Sequence, residues 1–182
     1  MVAATLMLDD GAISSAAGNV GDDSAHDDIG GRSRRHKMTG TTEHIRIGQL
    51  EIRFLLEGGA TAGSLAMFEF DVPANARVPI AHSHDAYEET IYGLKGMLTW
   101  TVEGCVHNVG SGEVLCIPRG AVHRFDNTSG ADTTMLAVIT PGVLSPDYFR
   151  QLAALAAAAG GGPPNLAAIA DVMRRHGLTP AP

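Results

Sequence analysis

Residues 82–96 read HSHDAYEETIYGLKG, and this stretch decides how the chain is interpreted. Two of its histidines lie two positions apart, so on a β-strand both side chains project from the same face. A short turn then leads into a second strand that opens at Glu88 and Glu89. Such a turn can bring Glu89 beside His82 and His84, while Glu88 points to the other face. The stretch therefore offers three groups of the kinds that bind metal ions.

A second stretch, residues 112–127, reads GEVLCIPRGAVHRFDN and supplies a fourth such group. Gly112 opens a strand. Pro118 and Gly120 shape a sharp bend, and His123 follows on the returning strand. Histidines on strands are more often surface residues or satisfied core groups than ligands. Four ligand types in two matched stretches nevertheless favour a metal site over a hydrated loop.

The two stretches together resemble both signature motifs of the cupin superfamily. The first motif is histidine, any residue, histidine, three or four residues, glutamate, six residues and glycine, and it is filled here by His82, His84, Glu89 and Gly96. The spacing to the glycine selects Glu89 rather than Glu88. The second motif is filled at every position, by Gly112, Pro118, Gly120, His123 and Asn127. The glycine that usually precedes the first histidine is absent, and Ala76 and Arg77 stand near its place.

This resemblance implies a small β-barrel that holds one divalent metal ion through three imidazoles and one carboxylate, from His82, His84, His123 and Glu89. Imidazole and carboxylate ligands suit Fe, Mn, Ni and Zn. In this interpretation Glu89 also acts as the catalytic base, by leaving the metal to accept a proton. No organic cofactor is expected.

The pattern between Glu43 and Pro141 independently predicts an all-β fold. Short segments alternate apolar and polar residues and are separated by Gly, Pro or Asn/Asp turns, which is typical of a small antiparallel β-barrel or jelly roll. We predict a cupin β-barrel over residues 41–142. Residues 1–40 are rich in Gly, Ser, Ala and Asp and are predicted to form a disordered tail. Met38 is an alternative start, which would leave residues 1–37 outside the native protein.

The hydrophobic period changes in residues 143–182, where we predict two C-terminal α-helices. Ser145 and Pro146 have the residue types of an N-cap and a first helical position. Asn165 caps the second helix and Gly177 ends it. Their apolar faces are interpreted as ordinary packing, across the outside of the barrel or on a neighbouring subunit.

Strand alternation also predicts part of a substrate pocket. If Glu89 faces inward, Ile91 does too, and Phe125 shares the face of His123. An apolar lining of this kind suits a hydrophobic or aromatic small molecule. The alternative is that Ile91 and Phe125 simply fill the barrel.

Composition excludes several other classes of partner. The formal charge of −7 argues against nucleic acid, because phosphate contacts need a basic face. No apolar run is long enough to span a bilayer, and no signal peptide is visible. The two cysteines form no disulfide pattern, so we expect reduced thiols in a cytoplasmic protein.

Three functions remain open. The resemblance to single-domain cupins of the quercetin-dioxygenase-like group favours a metal-dependent dioxygenase acting on a small molecule. The alternatives are a lyase or isomerase that uses the metal as a Lewis acid, and a non-catalytic module that binds a metal and a ligand. Because cupin barrels commonly pair, we also expect a homodimer, formed through residues 43–57.

Overall fold

A computed structural model describes residues 43–77 and 80–181, so the tail predicted over residues 1–40 lies outside the described residues. The described part is mostly β-structure followed by two helices. Its elements, in chain order, are β1 (His44–Ile47), β2 (Leu50–Leu56), a short 3-10 helix (Gly58–Thr61), β3 (Ala66–Val72), β4 (His82–His84), β5 (Glu88–Lys95), β6 (Met97–Val102), β7 (Cys105–Gly110), β8 (Val114–Ile117), β9 (His123–Asp126), β10 (Thr133–Thr140), α1 (Pro146–Ala158), α2 (Leu166–Arg175) and β11 (Leu178–Pro180).

The strands form two antiparallel sheets. The first sheet has the order β1-β2-β3-β10-β5-β8, and the second has the order β11-β4-β9-β6-β7. Neighbouring strands within a sheet are often distant in sequence, as in a jelly roll, because successive strands cross between the sheets. The predicted all-β fold with a C-terminal pair of helices is confirmed.

The core lies between the inner faces of the two sheets. Phe70 on β3 contacts two aromatic rings of the other sheet, Phe125 at a centroid distance of 5.4 Å and Trp100 at 6.4 Å. On β6, buried Leu98 and Trp100 alternate with the partly exposed Thr99, as expected when one face of a strand packs inward. This aromatic layer forms the floor of the site described below.

Both helices begin at the predicted residues. Ser145 is the N-cap of α1 with extended backbone angles, and Pro146 takes the first helical position. Asn165 caps α2, where its Oδ1 accepts a hydrogen bond from the Ala168 amide at 3.1 Å. Among the residues that the structure describes, neither helix is long and apolar enough to cross a membrane.

The chain returns to the second sheet after α2. Gly177, with φ of 78°, ends the helix in a left-handed conformation that glycine adopts without steric cost. Strand β11 then pairs antiparallel with β4, with Leu178 opposite His84 and Pro180 opposite His82. The sequence pattern did not predict this strand, because three residues are too few for a period to be visible. The C-terminal segment is therefore hydrogen-bonded to the strand that carries two of the candidate ligands.

Candidate metal centre

The residues predicted to bind a metal come from three strands and both sheets. His82 and His84 lie on β4, and His123 lies on the adjacent strand β9, directly opposite His82. Glu89 lies on β5 of the other sheet. The link through residues 85–87 crosses from one sheet to the other, so the carboxylate faces the histidines across the interior. These four residues, His82, His84, Glu89 and His123, are called the four-residue cluster below.

The three imidazoles are close enough to bind one metal ion. Their ring centroids lie 4.6 Å apart for His82 and His123, 4.7 Å for His84 and His123, and 5.9 Å for His82 and His84. One ring nitrogen from each histidine lies within 4.8 Å of the other two. His84 and His123 are almost fully buried.

Backbone carbonyl groups set the orientation of all three rings. The Nδ1 atom of His123 is 2.9 Å from the Ala121 oxygen, that of His84 is 3.2 Å from the Tyr87 oxygen, and that of His82 is 3.4 Å from the Ile80 oxygen. A carbonyl oxygen only accepts hydrogen bonds, so each Nδ1 carries a proton and donates it. This leaves Nε2 of each ring to face the centre of the cluster, the arrangement that metal-binding histidines adopt.

Glu89 completes the cluster with a negative charge. Its Oε2 atom is 3.3 Å from Nε2 of His84 and 3.4 Å from Nε2 of His123. Burial acts to raise the pKa of the Glu89 carboxyl, but hydrogen bonds from His123 and His84 outweigh burial and hold this pKa well below its usual range. The carboxylate is therefore ionised in the interior, where an unpaired charge is unfavourable.

The histidines differ in their affinity for protons. Burial, with the nearby charge of His123, lowers the pKa of His82 to about 4. Burial also acts to lower the pKa of His123, but its hydrogen bond to Glu89 raises this pKa above its ordinary value. Both ring nitrogens of His123 thus face acceptors. Only an imidazolium, or a metal cation in place of the Nε2 proton, satisfies both, so the cluster fits a bound cation.

A cavity of about 400 Å³ opens beside the four-residue cluster. Such a volume lies within the range of about 300–1,000 Å³ that is typical of small-molecule sites. Aromatic residues of both sheets, including Phe70 and Phe125, line this cavity. The helices contribute Tyr148, Phe149 and Met173 to the same lining. An apolar molecule bound here would contact the imidazoles and Glu89 directly.

Of the two predicted pocket residues, Phe125 and Ile91, the structure places only the first at the cavity. Phe125 lines the cavity. Ile91 does not, because it is fully buried one strand repeat beyond Glu89, opposite Ala137 and Leu115 on the neighbouring strands. Strand parity places Ile91 on the same face as Glu89, but parity does not say how far along the strand the cavity extends. Ile91 is a core residue.

Glu88 of the first stretch lies on the face of β5 that strand alternation predicts for it. Glu88 points away from the cluster and forms an ion pair with Arg119 at 2.9 Å.

Asn127, the last residue of the second motif, is buried, and its side-chain amide donates to the carbonyl oxygens of Val72 at 2.9 Å and Ala131 at 2.8 Å. Asn127 therefore ties the loops together and does not contact the cluster.

Several cavity residues were missed by reasoning from sequence. Tyr87 was treated only as part of a turn, and Trp100 was not assigned to a face. The alternation of Leu98, Trp100 and Val102 with threonines on β6 could have identified Trp100 as inward-facing. The helices were placed outside the barrel, yet Tyr148 and other helical residues line the cavity. No local signal indicates this, because the apolar face of a packed helix and that of a cavity-lining helix have the same period.

Comparisons with known proteins agree with this geometry. Residues 68–139 match the cupin domain family. Over 92 residues the chain is 30% identical to quercetin 2,3-dioxygenase of Bacillus subtilis (strain 168). This match covers 50% of the chain and 26% of that protein, so the chain spans about a quarter of the length of its curated relative.

Solved structures show the same fold. A predicted oxalate decarboxylase from Thermotoga maritima is 26% identical with a TM-score of 0.50, and the match covers 56% of this chain and 92% of that chain. A variant of the oxalate decarboxylase of Bacillus subtilis is 18% identical with a TM-score of 0.52, covering 59% of this chain and 29% of that chain. At 18% identity the second likeness concerns the fold alone.

Proposed function

We propose that the four-residue cluster binds one divalent transition-metal ion through Nε2 of His82, His84 and His123 and the carboxylate of Glu89, and the match of residues 68–139 to the cupin domain family supports this proposal. One observation carries this proposal. Each Nδ1 faces a backbone carbonyl oxygen, and Nε2 of His84 and of His123 lie 3.3 and 3.4 Å from the buried carboxylate of Glu89, so a single metal cation placed among these atoms would satisfy them together.

The ligand set limits the identity of the ion. Three imidazoles and one carboxylate suit Fe, Mn, Ni or Zn, and no thiolate is present among these four side chains to favour softer ions. A redox-active ion supplies oxidation of a substrate by dioxygen, whereas zinc supplies Lewis-acid polarisation of a substrate oxygen.

We propose further that the protein is a metal-dependent dioxygenase that acts on a small aromatic molecule. The 30% identity to a quercetin 2,3-dioxygenase and the aromatic lining of the cavity support this assignment. Glu89 borders both the cavity and the histidines, so it is placed to accept a proton from a substrate hydroxyl. Residues of both helices also line this space, and shielding of such a space from water strengthens the electrostatic contacts within it.

A Lewis-acid lyase or isomerase is the second candidate, and the 26% identity to a predicted oxalate decarboxylase supports it. The cavity does not suit oxalate itself, because an apolar space of about 400 Å³ matches a larger and less polar molecule. The third candidate is a module that binds a metal and a ligand without turnover. This module would have the same metal centre but would catalyse no reaction.

We also propose a homodimer. Among the described residues, β1 is the outermost strand of the first sheet, and edge strands present backbone groups that can pair with another strand. Residues 43–57, which include β1 and β2, are the proposed contact. Light scattering at micromolar concentration tests this proposal, and a monomeric mass would contradict it.

The metal proposal is tested by the variant His123→Ala. We expect metal content after reconstitution to fall from one ion per chain to near zero, because the variant loses the ligand that contacts Glu89 from β9. His107→Ala is the matched control, since His107 is exposed on β7 and should leave the metal content unchanged. Full metal content in His123→Ala would refute the site.

The reaction is tested by dioxygen uptake with flavonols, β-diketones and catechols, after reconstitution with Fe, Mn, Ni or Zn. Uptake that depends on a redox-active ion supports the dioxygenase. Turnover of the zinc form without dioxygen supports the Lewis-acid enzyme instead, and tight binding without turnover supports the non-catalytic module.

A further inference from the structure

Tyr148 is the third residue of α1, and the packing of its neighbours holds it in place. Phe149 packs against two rings of the first sheet, Phe68 at a centroid distance of 5.0 Å and Phe54 at 5.6 Å. The Tyr148 ring lies beside Phe149 at 4.9 Å and beside His176, the C-cap of α2, at 5.6 Å. The first turn of α1 is thereby anchored to the barrel, and the Tyr148 ring is fixed between the two helices.

The hydroxyl of Tyr148 differs from the other unpaired donors of the cavity. Within the described part of the chain, the Tyr87 hydroxyl and Trp100 Nε1 have no partner and essentially no accessible surface. The Tyr148 hydroxyl is not one of these occluded atoms, although the residue is only 5% exposed and the hydroxyl bonds to no described residue. Its oxygen therefore keeps some accessible surface. Because Tyr148 lines the cavity, a molecule there can reach this hydroxyl without any repacking.

Glu89 lies close enough to Tyr148 to act on its hydroxyl. Burial, and after it the negative charge of Glu89, raises the pKa of Tyr148 above its ordinary value. The phenol is therefore neutral at physiological pH and has a proton to donate. No hydrogen bond joins the two side chains in the structure, so this donor is available to a molecule that lies between α1 and the four-residue cluster.

The surroundings of the hydroxyl define what such a molecule presents. Apart from the cluster, the cavity surface is largely aromatic and aliphatic and includes Phe70, Phe125 and Phe149. Such a surface favours flat ring systems, which stack on aromatic side chains. A pure hydrocarbon would leave the Tyr148 hydroxyl without an acceptor, and a small polar anion would leave most of the aromatic surface without a contact. An aromatic molecule that carries an oxygen acceptor satisfies both.

We propose that Tyr148 is a specificity-determining residue, whose hydroxyl donates a hydrogen bond to an oxygen atom of an aromatic molecule bound between α1 and the four-residue cluster. The inference rests on the proposed function, because it names the substrate class of the same site. It goes further by assigning recognition to a helix. Tyr148 lies outside residues 68–139, so the match to the cupin domain family does not include this contact.

Two probes of matched shape test the proposal, flavone and 2-phenylnaphthalene. Both are flat ring systems with one phenyl substituent, but flavone has a carbonyl and an ether oxygen, whereas 2-phenylnaphthalene has no acceptor atom. Equilibrium dialysis of the zinc-loaded full chain gives the Kd of each probe. Trp100 is the single tryptophan of the chain and lines the cavity, so quenching of its fluorescence reports that a probe is bound there.

The variant Tyr148→Phe removes the donor and keeps the ring. We expect it to weaken flavone binding about fivefold, as for the loss of one hydrogen bond, and to change the Kd of 2-phenylnaphthalene less than about twofold. Tyr92→Phe is the matched control and should change neither Kd, because Tyr92 is exposed on β5. We also expect Tyr148→Phe to melt no lower than the wild type, since the hydroxyl that it removes has no partner among the described residues.

Other results would overturn the proposal. Equal weakening of both probes, or a lower melting temperature of Tyr148→Phe, would mean that the hydroxyl serves packing and not recognition. Unchanged flavone binding in Tyr148→Phe, or no flavone binding by the wild type, would refute the contact.

Metal content is measured on the same samples, so that failure of this inference and failure of the proposed function can be told apart. A chain that binds no metal but retains a preference for flavone that depends on Tyr148 would refute the proposed function and leave this inference standing. A chain that binds one metal ion but shows no effect of Tyr148→Phe would refute this inference alone.

Discussion

Tyr87 holds the imidazole of His84 from two directions. Its ring stacks on the imidazole at a centroid distance of 4.1 Å and an angle of 17°, and its backbone carbonyl oxygen accepts a hydrogen bond from Nδ1 over 3.2 Å. One residue thus sets the plane of the ring and the direction in which Nε2 points. Because Tyr87 lies only three positions after His84, the link between β4 and β5 orients the ligand that precedes it.

We expect Tyr87→Ala to lower the zinc affinity about tenfold, because groups that orient a ligand typically contribute about 10–100-fold to metal affinity. Tyr87→Phe keeps both the stacked ring and the backbone carbonyl group, so its zinc affinity should equal that of the wild type. Competition with a chromophoric chelator measures both Kd values. Equal zinc affinities for Tyr87→Ala and Tyr87→Phe would show that the ring does not orient His84.

The two adjacent glutamates provide a matched pair for the role of charge. Glu89→Gln removes a buried negative charge beside His84 and His123, whereas Glu88→Gln removes a surface charge paired with Arg119. Two unit charges about 4 Å apart interact by about 4 kcal/mol at an effective dielectric constant of about 20. Part of this attraction is offset by desolvation, so we expect the Kd for zinc to rise about 100-fold in Glu89→Gln.

Glu88→Gln should leave the zinc affinity within about twofold of the wild type, because exposed ion pairs contribute about 0–1 kcal/mol even to folding. Isothermal titration calorimetry at constant ionic strength measures both variants. If Glu88→Gln weakened zinc binding as much as Glu89→Gln, the assignment of Glu89 as the ligand would fail.

Strand β11 is predicted to hold in place strand β4, which carries two of the proposed metal ligands. A chain that ends at Gly177 loses the pairing of Leu178 with His84 and of Pro180 with His82. We expect this chain to bind zinc about tenfold more weakly, because the backbone of β4 is no longer held in place. A chain that ends at Pro180 keeps β11 and serves as the control. Indistinguishable zinc affinities for the two chains would mean that β4 needs no support from β11.

Asn127 is predicted to be structural although it belongs to the second motif. Asn127→Ala leaves carbonyl groups that include those of Val72 and Ala131 without their donor. Each buried group left unpaired costs about 1–3 kcal/mol, so we expect the free energy of unfolding to fall by about 3 kcal/mol. Urea denaturation measures this change. Asn108→Ala is the control and should change stability by less than about 0.5 kcal/mol, since Asn108 is exposed.

The metal content of folded Asn127→Ala should remain that of the wild type, because the side chain does not contact the four-residue cluster. Loss of metal from protein that is still folded would indicate that Asn127 acts on the centre through the loop that it ties. Circular dichroism on the same sample establishes that the protein is folded.

Much of the fold could be predicted because it depends on neighbours in sequence. Alternation along β6 and β10 follows from the two-residue period of a strand, and the start of α2 follows from the capping side chain of Asn165. Motif spacing identified the residues of the four-residue cluster, which the structure places together. Strand β11 could not be predicted from the sequence, because its three residues form a strand only through pairing with β4 and are too few to show a two-residue period.

The sequence by itself determined the all-β class of the barrel, the starts of both helices, and which side chains of HSHDAYEE face the same way. Only the tertiary structure decided that Glu89 meets the histidines from the opposite sheet, that Ile91 lies in the core, and that Tyr148 of α1 lines the cavity. The physical reason is the range of the interactions. Backbone periodicity is a property of adjacent residues, whereas a cavity is the space left after segments distant in sequence have packed together.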